Sequence, residues 1–117
     1  MDDFNLYSPE DRLEALKQLL DAAESDSRIG AGIIVGSGAY GFLDEYSDID
    51  LSLVVTSPEV LLKVFEEWRS VVPNLFPVFE HTESVRGEYS LLHVYMLDSC
   101  LEVDIGFICF DVLLSFV

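Results

Sequence analysis

The chain has 117 residues, half of them hydrophobic and 12% aromatic, and its 22 Asp and Glu against 6 Lys and Arg leave a formal net charge of −16. That length is one domain with room for a single layered core, and the apolar content excludes intrinsic disorder. The charge excludes a binder of nucleic acid phosphates, which draws on clustered Lys and Arg, and suits a cationic small molecule, a divalent metal or a basic protein surface. Met1-Asp2-Asp3 lacks the basic start and long apolar stretch of a secretory signal, and no segment approaches the roughly 18 apolar residues of a membrane span. A cytoplasmic protein with no membrane partner is expected.

Ser8-Pro9-Glu10-Asp11 opens the first predicted helix, with Ser8 as N-cap, Pro9 at the first helical position and acids at the positive end of the helix dipole. Leu13, Leu16, Leu19, Leu20 and Ala23 make its apolar stripe as far as about Glu24. Ser25-Asp26-Ser27 breaks the pattern before a buried strand from about Gly32 to Val35. A second strand covers Asp48 to Thr56. Ser57-Pro58-Glu59 repeats the helix-start signature, and Val60, Leu61, Val64, Phe65 and Trp68 form the stripe of a helix that ends before Pro73.

Three strand-like runs follow: Pro77 to Thr82, Tyr89 to Leu97 and Leu101 to Ile108. Asp98-Ser99-Cys100 is short enough for a hairpin, so the last two are antiparallel. The predicted fold class is α/β, a mixed and mostly antiparallel sheet of about five strands with helices packed on it. Cys100 and Cys109, the only cysteines, lie in or beside apolar runs and are expected to be reduced packing residues. His81 and His93 are expected in packing or surface roles. The apolar segment from Phe110 to Val117 is expected to dock on the domain or to meet a partner subunit or further domain.

Gly36, Gly38 and Gly41 satisfy G-x-G-x-x-G after the apolar run Ile33-Ile34-Val35. A dinucleotide-binding loop opens a helix of several turns that crosses to a parallel strand, yet here the next strand begins after only FLDEYS. The glycines must serve something else, and the acids just downstream suggest what. On a strand, Asp48 and Asp50 share a face about 6 to 7 Å apart while Ile49, Leu51 and Leu53 point into the core. Two such carboxylates repel each other unless one protonates or a cation lies between them. In Leu101-Glu102-Val103-Asp104-Ile105 the acids Glu102 and Asp104 take the face opposite the apolar residues, and Asp104, in mid-strand, is the better third ligand.

Gly36-Ser37, Gly41 and Ser47-Asp48-Ile49-Asp50-Leu51, with Asp104 on a later strand, resemble the DNA polymerase beta-like nucleotidyltransferase superfamily, most nearly its aminoglycoside adenylyltransferases and minimal nucleotidyltransferases. The resemblance implies that Gly36, Ser37, Gly38 and Ser47 receive the triphosphate of ATP or another nucleoside triphosphate. A glycine turn before a helix N-terminus offers orphan N–H donors for such a ligand. It further implies that Asp48, Asp50 and Asp104 hold two Mg2+ ions for in-line attack of an acceptor hydroxyl on the α-phosphate, with Asp104 or water taking its proton. Many members carry an arginine in the Gly-Ser loop; Gly38, Ala39 and Tyr40 stand in that region here, and Arg28, Lys63, Arg69 and Arg86 are the other cations considered for the triphosphate.

The function expected from this reading is transfer of AMP to a hydroxyl of a cationic small molecule such as an aminoglycoside. A minimal nucleotidyltransferase that modifies a partner protein, as in toxin–antitoxin pairs, and a non-catalytic nucleotide-binding module are the alternatives. Residues 1–117 are expected to be one nucleotidyltransferase domain, with the acceptor site completed by a homodimer partner or by a C-terminal helical domain.

Overall fold

The computed structural model describes residues 8–34, 49–85 and 91–111. Helix α1 (Pro9–Glu24) starts where the sequence predicts. The Ser8 hydroxyl accepts from the Asp11 N–H at 3.1 Å, and the Asp11 carboxylate accepts from the Ser8 N–H at 2.9 Å, closing a capping box. Its buried face is Arg12, Ala15, Leu16, Leu19 and Ala23, whereas Leu13 is 55% exposed. The predicted stripe therefore erred at its first member. Stepping back from Leu16 by one turn of 3.6 residues reaches Arg12, not Leu13.

After α1 come β1 (Ile29–Ile34), β2 (Ile49–Val55), α2 (Pro58–Glu67), α3 (Val71–Leu75), β3 (Val78–Val85), β4 (Leu91–Leu97) and β5 (Glu102–Cys109). The five strands form one sheet in the order β1-β2-β5-β4-β3, in which β2 and β5 are parallel and the other pairs antiparallel. The mixed, mostly antiparallel α/β architecture is thus as expected. β1 begins earlier than predicted and is not buried: among the described residues it is an edge strand paired with β2 only, with residues 30–33 exposed. Where Gly32 passes under α1, a Cβ would meet Leu20 Cδ2 at 3.3 Å, so the small residue lets helix and strand approach.

The predicted second helix is two helices. α2 ends at the Trp68 C-cap, and Pro73 lies inside α3, in its first turn, where a missing N–H breaks no intrahelical bond. Strict alternation then divides the sheet. Ile49, Leu51, Leu53, Val103, Ile105, Phe107, Leu91, Tyr95 and Leu97 join the core with residues of all three helices. A side chain as deeply buried as Leu19 or Leu51 contributes about 1.5–3 kcal/mol. The β4–β5 hairpin closes at residues 98–100, where Cys100 takes φ 70° and its N–H donates to the Leu97 carbonyl at 2.9 Å. Cys100 is exposed, a correction to its expected packing role. A residue at the tip of a tight turn has no neighbours above it. Cys109 is buried as expected.

Candidate active site

The sheet face opposite the helices' core carries the acids. Because Ile49, Leu51, Val103 and Ile105 are drawn to the core, the intervening Asp50, Glu102 and Asp104 must point the other way, and each is only partly buried. The parallel pairing of β2 with β5 makes Asp50 and Asp104 direct register partners. Neighbouring strands lie about 4.8 Å apart, so the two backbones hold these carboxylates side by side. On the next strand Asp104 meets Val94, and Glu102 meets Met96. Two residues further along, Ser52 pairs with Gly106, a small polar floor beside the acids.

Partial burial, and after it the charge of Glu102, raises the Asp50 carboxyl above its ordinary pKa. The ionised acid is therefore held at some cost in the native fold, and a cation placed among these oxygens would relieve it. The donors are carboxylate oxygens, hard ligands that suit Mg2+. Of the residues expected to bind phosphate or metal, Gly36, Ser37, Gly38, Ser47 and Asp48 lie outside the described residues.

Two of the four cations considered for the triphosphate are engaged in ion pairs. Arg28 binds Asp26 through Nε and Nη2 at 2.9 and 2.8 Å and Glu67 through Nη2 at 2.6 Å. This lowers the Asp26 pKa, chiefly through the Arg28 side-chain hydrogen bonds. Arg69 pairs with both oxygens of Glu83. Lys63 stands exposed on α2, and Arg86 lies outside the described residues.

A second polar cluster lies on the helix-covered face, near the β3 edge. His93 is fully buried; its ring stacks on Phe65 at 4.1 Å and 7°, and its Nε2 lies 2.6 Å from the Phe65 carbonyl. A carbonyl only accepts, so Nε2 carries the hydrogen and Nδ1 keeps its lone pair. That Nδ1 is 2.9 Å from His81 Nε2, and Glu83 Oε2 is 3.8 Å from each nitrogen. Burial lowers the pKa of both imidazoles. His93 has the packing role expected of it, but no spacing in the sequence points to the cluster. His81-x-Glu83 marks one strand face, while the residue across from it depends on the β3–β4 register.

No protein-family model matches the chain, and no curated protein matches it. Solved structures do. An aminoglycoside 6-adenyltransferase from Bacillus subtilis superposes with TM-score 0.66 at 15% identity, over 95% of this chain and 38% of that one. A cytoplasmic RNA terminal U-transferase gives TM-score 0.60 at 21% identity, over 85% and 30% of the two chains. The Cid1 poly(U) polymerase bound to MgATP gives 0.56 at 19%, over 91% and 34%. The chain spans less than two fifths of the length of each of these three. Among the described residues, no helix is long and apolar enough to cross a membrane.

Proposed function

This chain has the polymerase beta-like nucleotidyltransferase fold, and on that premise we propose that it is a metal-dependent nucleotidyltransferase that moves AMP from ATP to a hydroxyl of a cationic small molecule of the aminoglycoside kind. The observation that carries the reading is the direct pairing of Asp50 with Asp104 on the sheet face away from the helices' core. Mg2+ bound by Asp48, Asp50 and Asp104 would supply charge neutralisation and polarisation at the phosphate and acceptor oxygens. The chain's own part is to keep Asp50 and Asp104 together on two paired strands, so that little reorganisation is needed when the substrates arrive. In this reading Asp104 lies nearest the acceptor hydroxyl, and its carboxylate or a water takes the proton. Gly36, Ser37, Gly38 and Ser47 bind the phosphates through backbone N–H and hydroxyl groups.

The net charge of −16 supports a cationic acceptor. It opposes RNA, although two of the similar structures are named for RNA uridylyl transfer or poly(U) synthesis. A uridylyl donor is the second reading, for that reason. The test is to incubate the chain with Mg2+ and each α-labelled nucleoside triphosphate, with an aminoglycoside panel and with an RNA oligonucleotide. Label passing from ATP to an aminoglycoside is the expected result, and transfer from UTP favours the second reading. No transfer from any nucleotide to any acceptor overturns both.

A further inference from the structure

The histidine cluster plays no part in that chemistry, and its geometry has a use of its own. We propose that His81 Nε2, His93 Nδ1 and Glu83 Oε2 form a zinc site that fastens the edge strand β3 to β4 and, through His93, to α2. The three donor atoms are 2.9, 3.8 and 3.8 Å apart. Tetrahedral zinc with bonds of about 2.1 Å to imidazole nitrogen and carboxylate oxygen sets its donors about 3.4 Å apart, so each of these separations has to change by only about half an ångström. The site thus needs little rearrangement to take the ion.

The surroundings are those of a ligand set held in place. His93 is clamped flat on Phe65, and its Nε2–H is spent on the Phe65 carbonyl, the outer hydrogen bond that orients a metal-binding imidazole and leaves Nδ1 as the donor. His81 stacks on Tyr95 at 4.3 Å and 8°, and the Tyr95 hydroxyl is itself anchored on the Trp68 carbonyl at 3.0 Å. Two imidazoles and one carboxylate select zinc over magnesium. The His81 and Glu83 side chains keep 22% and 28% of their exposure, so the ion can enter from the β3 edge and a water can fill the fourth position.

Two adjustments accompany binding. His81 shifts its hydrogen from Nε2 to Nδ1 through solvent, with no net proton released. Arg69 releases Glu83 Oε2 and keeps its bond from Nη2 to Oε1, 3.0 Å long in the metal-free arrangement. The competing description is a His81–His93 hydrogen bond with no metal, and it makes different predictions.

The site is tested on the full chain, stripped with a chelator and held in millimolar Mg2+ so that carboxylate-only sites are filled. Co2+ is titrated by visible absorption, then displaced with Zn2+. One Co2+ per chain with the intense d–d bands of low coordination, lost on adding one equivalent of Zn2+, is the expected result. His81→Gln and Glu83→Gln should each weaken binding at least tenfold, while the Asp50→Asn/Asp104→Asn double variant keeps it, which separates this site from the proposed active site. In the wild type, Zn2+ should move the 15N resonance of His93 Nδ1 and leave Nε2 protonated, a readout that does not depend on any variant folding. Absence of the bands, their survival in both single variants, their loss in the double variant, or an unmoved Nδ1 resonance would overturn the proposal.

Discussion

Asp50 on β2 and Asp104 on β5 are register partners in a parallel strand pair, so two carboxylates more than fifty residues apart in the chain stand side by side on one sheet face. Because the Asp50 pKa is raised, ionisation of this group weakens the metal-free fold. Its favourable contribution is complete below the unfolded pKa and fades as pH rises through the higher folded one. Asp50→Asn should therefore leave the metal-free melting temperature at neutral pH unchanged or slightly higher. The same variant should lower nucleotidyl transfer at least about a hundredfold, since it removes a charged ligand at the reacting centre. A destabilised variant, or one with wild-type turnover, would contradict the role given to this acid.

Asp26 has the opposite sign. Its pKa is lowered by Arg28, so the pair stabilises the fold above the unfolded carboxyl pKa, and that stability is lost as pH falls through the folded value. Asp26→Asn should cost about 1 kcal/mol at pH 7, a modest figure because Arg28 stays 28% exposed and water screens the pair. Urea melts of wild type and variant should converge as the pH is taken down through the carboxyl range, and a gap that stays constant would mean that the charge is not the cause.

Tyr95 is fully buried, and its hydroxyl donates to the Trp68 carbonyl at the C-cap of α2. Tyr95→Phe removes one of two hydrogen bonds to that carbonyl, which keeps the Val71 N–H at 3.1 Å, and should cost about 0.5–1.5 kcal/mol. Because Tyr95 faces away from the carboxylates, transfer per folded molecule should be unchanged. Thermal melting and an activity assay at low temperature distinguish the two effects.

The face that α1 presents to the sheet is checked by two leucines. Leu19, at 0% exposure, should lose about 2.7–5 kcal/mol on truncation to Ala, whereas Leu13, at 55%, should lose within about 0.5 kcal/mol. Chemical denaturation of the two variants measures the difference, and equal losses would mean that the helix is rotated from the position described.

The features legible in the residues alone are local. Ser8 and Asp11 are three residues apart, so a capping box can be read directly, and Asp98-Ser99-Cys100 is too short for anything but a reversal. The alternation in Leu101 to Ile105 puts Glu102 and Asp104 on one face whatever the strand's neighbours. The same reading misassigned Leu13, ran α2 and α3 together across Trp68 and placed Cys100 in the packing, because each depends on which surface the element meets. The strand order β1-β2-β5-β4-β3, the partner of Asp50, and the meeting of His81 and Glu83 with His93 arise from long-range packing. Alternation fixes which way a side chain points, but which strand lies beside another is settled by burying apolar faces distant in the chain, and that choice brings the acids and the imidazoles together.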